Sequence, residues 1–127
     1  MSPVTFEPLA VHADARGSVF EPLGPDALPD QRNVHVVVTE PGGVRGNHLH
    51  RHGTETLVIH GPALFRCRED GEIVDVEVPP GAVYRFTIPP GVAHALKNTG
   101  DAPAVAVSFV PLPHDRAAPD VVPVVLL

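Results

Sequence analysis

Short apolar segments recur along the chain at a spacing of about 8–12 residues, which is typical of antiparallel β-proteins. Residues 33–40 (NVHVVVTE), 55–61 (ETLVIHG) and 104–110 (AVAVSFV) are examples, and the 16 prolines and 11 glycines of the chain punctuate these segments. Apolar and polar residues alternate within several of them, whereas a helical period is nearly absent. The pattern predicts an all-β protein built as a sandwich or a barrel.

Two neighbouring segments carry the strongest pairing signal. ALFRCR (63–68) and GEIVDVEV (71–78) meet at an Asp-Gly step, and this dipeptide is typical of a hairpin turn. VYRFTI (83–88) is bracketed by PPG on both sides, and VAHALKN (92–98) follows it. These segments are therefore expected to be consecutive strands.

Strand alternation places the acidic Glu55 on the same face as Leu57 and Ile59, which are expected core residues. Burying a lone carboxylate is costly unless it is paired or binds a metal ion. Two interpretations therefore remain open, because Glu55 lies either at the wet end of its strand or in a buried polar site. The same alternation turns Tyr84 inward together with Phe86.

Length and charge limit the classes to which the chain can belong. A chain of 127 residues is expected to form one domain, with N-terminal strands or an arm at 1–32, a core barrel at 33–110 and an extension at 111–127. The formal net charge is −6 and Lys97 is the only lysine, so binding to nucleic acid is not expected.

The chain also lacks the sequence features of an exported or membrane protein. Its opening, MSPVTFEPLA, is not a basic and apolar leader, and its longest apolar stretch, VVPVVLL, is far too short to span a bilayer. The one cysteine, Cys67, has no internal partner, which fits a reducing compartment. We expect a cytoplasmic protein without membrane contacts.

The segment RGNHLHRHGTE (45–55) contains a candidate metal site. His48 and His50 are two residues apart and project from the same face of a strand, while a turn can return Glu55 beside them. Two imidazoles and a carboxylate are a recurrent ligand set for divalent metals. His94 follows a PPG turn and is expected to enter the same cavity, whereas His52 is expected at its rim. A role of these histidines in acid–base chemistry alone remains the alternative.

Together the two segments resemble the motifs of the cupin family. The first motif, G(X)5HXH(X)3–4E(X)5–6G at 42–61, is met by Gly42, His48, His50, Glu55 and Gly61. The second motif, G(X)5–7PXG(X)2H(X)3N at 81–98, is met by Gly81, Pro89, Gly91, His94 and Asn98. The resemblance implies a small jelly-roll β-barrel. It also implies a divalent metal ion, either zinc or else nickel, manganese or iron, held by His48, His50, Glu55 and His94.

Further stretches narrow the resemblance to one branch of the family. The segments around both motifs and HDRAAPD are similar to the C-terminal cupin domain of capsular-polysaccharide biosynthesis enzymes. DARGSVF (14–20) resembles the opening motif of keto-sugar epimerases and isomerases of the rhamnose-pathway type. The resemblance implies an epimerase or isomerase that acts on a nucleotide-linked keto-sugar in polysaccharide biosynthesis, through a metal-stabilised enediolate.

Epimerisation next to a carbonyl also needs proton transfer on both faces of the sugar. Tyr84, the only tyrosine, is one candidate acid, although core packing is its alternative role, and His114 lies in a loop that is able to close over the pocket. Arg45 and Arg85 are candidates for the nucleotide diphosphate, because arginine pairs with phosphate in bidentate fashion. Asn98 is a candidate for orienting a ligand or a turn. The sequence identifies no secure base.

Two other functions remain open. The same ligands suit an Fe(II) cupin dioxygenase, and a non-catalytic cupin that binds a sugar or another small ligand needs no base. The scarcity of aromatic residues and the resemblance to sugar enzymes favour the epimerase. The apolar C-terminus must be buried on an edge of the barrel or on a partner subunit, and we expect a homodimer.

Overall fold

The computed structural model describes residues 3–127, and within this range it contains strands, loops and one short 3-10 helix. The strands are β1 (Thr5–Pro8), β2 (His12–Asp14), β3 (Gly17–Val19), β4 (Asn33–Thr39), β5 (Val44–His50), β6 (Glu55–His60), β7 (Ala63–Glu69), β8 (Glu72–Val78), β9 (Val83–Ile88), β10 (His94–Asn98), β11 (Ala104–Val110) and β12 (Val121–Pro123), and the helix is Leu28–Asp30. No helix among the described residues is long and apolar enough to cross a membrane. The all-β prediction is confirmed, and so is the hairpin of β7 and β8.

Ten of the strands form two antiparallel sheets that pack face to face. Their orders are β1-β9-β6-β11-β4 and β12-β5-β10-β7-β8, while β2 and β3 form a separate hairpin. Both sheets contribute to the core between them: Phe65 from β7 and Phe86 from β9 are fully buried, and their ring centroids lie 4.1 Å apart. This arrangement is the jelly-roll barrel expected for a cupin.

The N-terminal segment covers part of the outer face of the first sheet. Val58 and Val83 point away from the barrel interior, yet each is only 1% exposed. They form a second apolar cluster with Leu23 and Phe109. Strand alternation alone assigns both valines to the outer face of the sheet, where they would be exposed to solvent. The N-terminal segment covers this face and buries them.

The apolar C-terminus lies on the barrel itself. β12 pairs with β5, with Val121 opposite His50 and Pro123 opposite His48. Beyond β12, the side chain of Asn47 donates a hydrogen bond to the backbone oxygen of Leu127 and accepts hydrogen bonds from two backbone N–H groups of the same tail. The edge-strand position considered for this segment is therefore the one observed, and β12 brings residues 111–120 across one end of the barrel.

Candidate metal centre

Four predicted ligands converge at one end of the barrel. His48 and His50 lie at the end of β5, while Glu55 begins β6 and His94 begins β10. One ligand atom from each of the four lies within 4.8 Å of all the others. Because β6 belongs to one sheet and the other two strands belong to the second sheet, the cluster bridges the two layers.

Local backbone geometry brings β5 and β10 close enough to form the cluster. Gly46 has a φ of +87°, and a Cβ at this position would lie 3.0 Å from the carbonyl oxygen of His94. The PPG turn that precedes β10 is tied to the other motif, since the N–H of Gly91 donates to the carbonyl oxygen of His50 at 2.7 Å. Gly46 therefore allows a close approach of two backbones that a larger residue would obstruct, whereas Gly91 supplies the positive φ of +83° that its turn requires.

Glu55 is the centre of a buried hydrogen-bond network. Its Oε1 lies 2.7 Å from Nε2 of His94, 3.1 Å from Nε2 of His50 and 3.8 Å from Nε2 of His48. Its Oε2 accepts a hydrogen bond of 2.6 Å from the hydroxyl of Ser108. Glu55 is only 5% exposed. Of the two positions that the sequence left open, it therefore occupies the buried polar site and not the solvent-exposed end of its strand.

Two of the imidazoles are also held from behind. Nδ1 of His94 lies 3.0 Å from the carbonyl oxygen of Val92, which requires Nδ1 to be the donor. Nδ1 of His50 lies 3.2 Å from Oδ2 of Asp120. A hydrogen bond at Nδ1 directs Nε2 of each ring toward Glu55, and Nε2 is the nitrogen through which such a ring would bind a metal ion.

The electrostatics of the cluster favour a cation beside Glu55. Burial raises the pKa of Glu55, but the surrounding imidazoles of His48, His50 and His94 outweigh this effect and hold that pKa well below its usual range. Burial lowers the pKa of His50, whereas the carboxylates of Glu55 and Asp120 raise it, and the net pKa lies above the usual value. Three imidazole nitrogens around one buried carboxylate are the donor set of a divalent transition metal, so these residues fit such an ion.

Two residues of this centre, Asp120 and Ser108, are not among the candidates that the sequence pattern predicts. Asp120 accepts hydrogen bonds from the N–H groups of His52 and Gly53 at 2.9 Å and 3.1 Å, besides its contact with His50. Ser108 supports the other oxygen of Glu55. Ser108 is the one polar residue in the apolar strand AVAVSFV, and that signal was available in the sequence. No motif marks Asp120.

A cavity of about 900 Å³ opens beside the cluster. Its lining includes His48, His50 and Glu55 from the cluster, residues of β4 and β11, the turn after β5, and most of the segment 112–121. His114 lies in this lining, on the loop that was predicted to lie over the pocket. His52 is exposed at the cavity rim, as its sequence context predicts.

Tyr84 lies outside this cavity lining. It faces Ile59 across β9 and β6, four residues along β6 from Glu55, a displacement of about 13 Å at the usual rise of a strand. Its ring stacks on Phe6 with 5.5 Å between centroids. This position fits a core-packing role for Tyr84, the alternative to its role as an acid. It also places Tyr84 away from the cluster beside which a catalytic acid would act.

The three predicted substrate-binding residues also lie outside the cavity lining. Arg85 is bound to Glu7 through an ion pair of 2.7 Å, and Arg45 is exposed on β5. Asn98 is fully buried and orients a turn, since its Nδ2 donates to the carbonyl oxygens of Thr39 and Ala102. The sequence left two roles open for Asn98, to orient a ligand or to orient a turn, and its contacts correspond to the second.

Comparison with known proteins connects the chain to polysaccharide biosynthesis. The model of a family described as the polysaccharide biosynthesis C-terminal domain matches residues 12–122. No curated protein matches the chain at a significant level. Among solved structures, the capsular polysaccharide assembling protein CapF from Staphylococcus aureus is similar, with a TM-score of 0.69 and 29% identity over 94% of this chain and 33% of that chain. The chain thus spans about a third of the length of CapF.

Two further structures share the fold at lower identity. QdtA, a sugar 3,4-ketoisomerase from Thermoanaerobacterium thermosaccharolyticum solved in complex with TDP, has a TM-score of 0.71 and 19% identity, over 94% of this chain and 86% of that chain. The RmlC epimerase of Mycobacterium tuberculosis has a TM-score of 0.68 and 18% identity, over 90% of this chain and 66% of that chain. The expected likeness to capsular-polysaccharide proteins is confirmed, and the two further structures confirm the fold.

Proposed function

The chain belongs to the polysaccharide biosynthesis C-terminal domain family, and we propose that it is a metal-dependent epimerase or isomerase of a nucleotide-linked keto-sugar. The observation that carries this proposal is the cluster of His48, His50, Glu55 and His94, whose ligand atoms lie within 4.8 Å of one another. A cavity of about 900 Å³ beside the cluster is large enough for a sugar nucleotide to enter. The names of QdtA and RmlC, a sugar ketoisomerase and an epimerase, support the same reaction class.

The four clustered residues would hold a divalent ion, with zinc as the first candidate and nickel, manganese or iron as others. When bound, such an ion supplies a Lewis acid that polarises a carbonyl oxygen and stabilises the enediolate. The contacts of His94 with Val92 and of His50 with Asp120 keep Nε2 of both rings oriented toward Glu55. Apolar lining residues such as Leu112 limit the access of water to a bound sugar.

Proton transfer requires a titratable group that faces the cavity and is not a ligand. His114 meets this condition and remains our candidate acid, because it lines the cavity on the segment that crosses its mouth. His35 is a second such group: it projects from β4 into the lining and lies opposite Ser108, the residue that supports Glu55. We propose that these two histidines share the acid and base roles.

Deuterium exchange tests the proposed reaction directly. The metal-loaded protein is incubated in D2O with dTDP- and UDP-linked keto-sugars, and proton NMR follows the C–H groups next to the carbonyl. We expect deuterium to enter one carbon, EDTA to stop the exchange and added metal to restore it. His94→Ala should abolish both exchange and metal binding. Absence of exchange with every sugar would contradict the proposal, and binding without exchange would identify a non-catalytic sugar-binding cupin instead.

The Fe(II) dioxygenase predicts a different result. In that case the iron-loaded protein consumes oxygen when substrate is added, and deuterium exchange is absent. An oxygen electrode run beside the NMR experiment therefore distinguishes the two reactions. We also propose a cytoplasmic location, the setting in which an unpaired cysteine such as Cys67 is common.

We further propose that the chain forms a homodimer through β4. This strand is an edge of its sheet, and Val34, Val36 and Val38 project from its outer face into solvent. An exposed apolar edge strand is a typical surface for pairing with a second copy. Val36 is 67% exposed, so Val36→Lys should convert a dimer to a monomer in light scattering. Val19→Lys, at a position 71% exposed on the separate hairpin of β2 and β3, is the matched control. A monomeric wild type would refute the dimer.

A further inference from the structure

The cavity has one permanently charged cation in its lining. Among residues 3–127, Arg51 is the only arginine or lysine that lines it. The cavity also contains the carboxylates of Glu55, Asp115 and Asp120, and the whole chain has a formal net charge of −6. A nucleotide sugar carries a negatively charged diphosphate, which these carboxylates repel. Binding such a substrate therefore requires a positive charge close to the diphosphate.

Arg51 lies in a turn whose backbone is held by hydrogen bonds to Asp120. Its N–H donates to the carbonyl oxygen of Asp120 at 2.8 Å. The next two N–H groups, of His52 and Gly53, donate to the side chain of the same aspartate at 2.9 Å and 3.1 Å. A Cβ at Gly53 would lie 2.9 Å from the side chain of Val110, so the turn also packs closely against β11.

The guanidinium of Arg51 is free to bind a ligand. It forms no ion pair or side-chain hydrogen bond within the part of the chain that the structure describes. Arg51 is also exposed and lines the cavity. Arg85, by contrast, is committed to Glu7 and to the carbonyl oxygen of Pro22. Arg45 is exposed on β5 and is not part of the cavity lining.

We infer that Arg51 binds the diphosphate of the substrate at the cavity rim, an inference that rests on the proposed function. The sugar ring of a nucleotide sugar separates its keto group from its diphosphate. Arg51 directly follows His50 and lines the cavity as an exposed residue, so its flexible side chain has one end close to the metal centre and is long enough to reach a ligand at the rim. A sugar whose carbonyl faces His48, His50 and His94 would therefore present its diphosphate to Arg51. The planar guanidinium pairs with phosphate oxygens in bidentate fashion.

Calorimetric titration with dTDP and UDP tests this inference, and thymidine serves as the probe without phosphate. We expect Arg51→Ala to weaken the binding of either nucleotide by about tenfold or more, because hydrogen bonds between charged groups are lost. The nucleotide affinity of Arg51→Lys should lie between those of the wild type and Arg51→Ala, since an ammonium keeps the charge but not the bidentate geometry. Thymidine should bind the wild type and Arg51→Ala equally.

Two further arginine variants remove one charge each and serve as comparisons. Arg68→Ala, an exposed position on β7 outside the cavity, should leave nucleotide affinity unchanged. If Arg68→Ala weakens binding as much as Arg51→Ala does, the effect is general charge and the inference is wrong. It is also wrong if Arg45→Ala, and not Arg51→Ala, reduces the affinity, or if the wild type binds neither nucleotide.

The inference and the proposed function fail in different ways. Loss of nucleotide binding in Arg51→Ala together with absence of deuterium exchange in the wild type would support the diphosphate subsite and reject the epimerase. Exchange in the wild type together with unchanged nucleotide affinity in Arg51→Ala would reject the subsite alone. Metal content and the thermal midpoint, measured for every variant, verify that the substitution has left the centre and the fold intact.

Discussion

Nδ1 of His50 lies 3.2 Å from Oδ2 of Asp120, which is 70 positions further along the chain. The same carboxylate accepts hydrogen bonds from the N–H groups of His52 and Gly53. One side chain from the C-terminal segment therefore holds both the ring of a candidate ligand and the turn that follows it. This contact makes the segment 111–120 part of the centre and gives it a role beyond covering the cavity.

Replacing Asp120 should weaken metal binding without removing a ligand. In Asp120→Asn one of the two acceptor oxygens becomes an NH2 donor, so the side chain no longer accepts from both His50 and the turn, and the ring loses its charged partner. Loss of such partners typically lowers metal affinity by about 10–100-fold. Competition with a chromophoric chelator measures the affinity. Asp115→Asn removes another carboxylate from the same cavity lining and should bind as tightly as the wild type. Equal affinities for both variants would contradict the role of Asp120.

A bound divalent ion should raise the thermal stability of the protein. An ion at 100 times its Kd stabilises the folded state by about 2.7 kcal/mol, which corresponds to a rise of about 10 °C in Tm for a domain of this size. Scanning calorimetry of the EDTA-treated protein with each metal in turn measures the rise. The double variant His48→Ala plus His94→Ala should show no metal-dependent change. An undiminished rise in that variant would mean that the ion binds elsewhere.

The metal-free protein should lose stability in acid through Glu55. The pKa of Glu55 in the folded protein lies well below the ordinary value of 4.5. A lowered pKa stabilises the folded state fully above the ordinary value, and this contribution disappears as the pH falls through the folded value. The free-energy difference between the wild type and Glu55→Gln should therefore shrink as the pH is lowered from 6 toward about 3. Urea unfolding in EDTA measures it, and a constant difference would contradict the assignment.

The sequence predicts that His48, His50, Glu55 and His94 cluster, and local rules account for much of this prediction. Strand alternation places His48 and His50 on one face, and the PPG turn directs His94 inward. Asp120 escapes such rules, since it approaches His50 only after β12 has paired with β5, and residues 111–120 have no regular period. Contacts between distant segments depend on that long-range pairing.

Tyr84 illustrates a second limit of the sequence. Alternation correctly predicts that it packs against the core, but alternation gives the face of a strand and not the height along the barrel. The height follows from the register of β9 against β6, where Tyr84 faces Ile59 and Ile88 faces Glu55. A tyrosine at position 88 would have lain beside the centre. Register is set by the whole sheet, so a single strand does not reveal it.

Asn47 should stabilise the protein by holding the C-terminal tail. It has a φ of +54°, and its side-chain oxygen accepts hydrogen bonds of 2.9 Å and 3.1 Å from the N–H groups of Leu126 and Leu127. Asn47→Ala loses these bonds and replaces asparagine, which tolerates the left-handed region, by alanine, which tolerates it less well, so we expect a loss of about 2–3 kcal/mol in the free energy of unfolding.

Asn47→Gly separates the two causes, because glycine loses the same hydrogen bonds but tolerates the positive φ. Its free energy of unfolding should lie about 1 kcal/mol above that of Asn47→Ala and still below that of the wild type. Urea titration gives the free energies, and hydrogen exchange at Val124, whose N–H donates to the carbonyl oxygen of Asn47, reports on the tail itself. Faster exchange at Val124 in both variants is expected, since the tail loses its side-chain anchor. Exchange and stability equal to the wild type in both would mean that β12 alone holds the tail against β5.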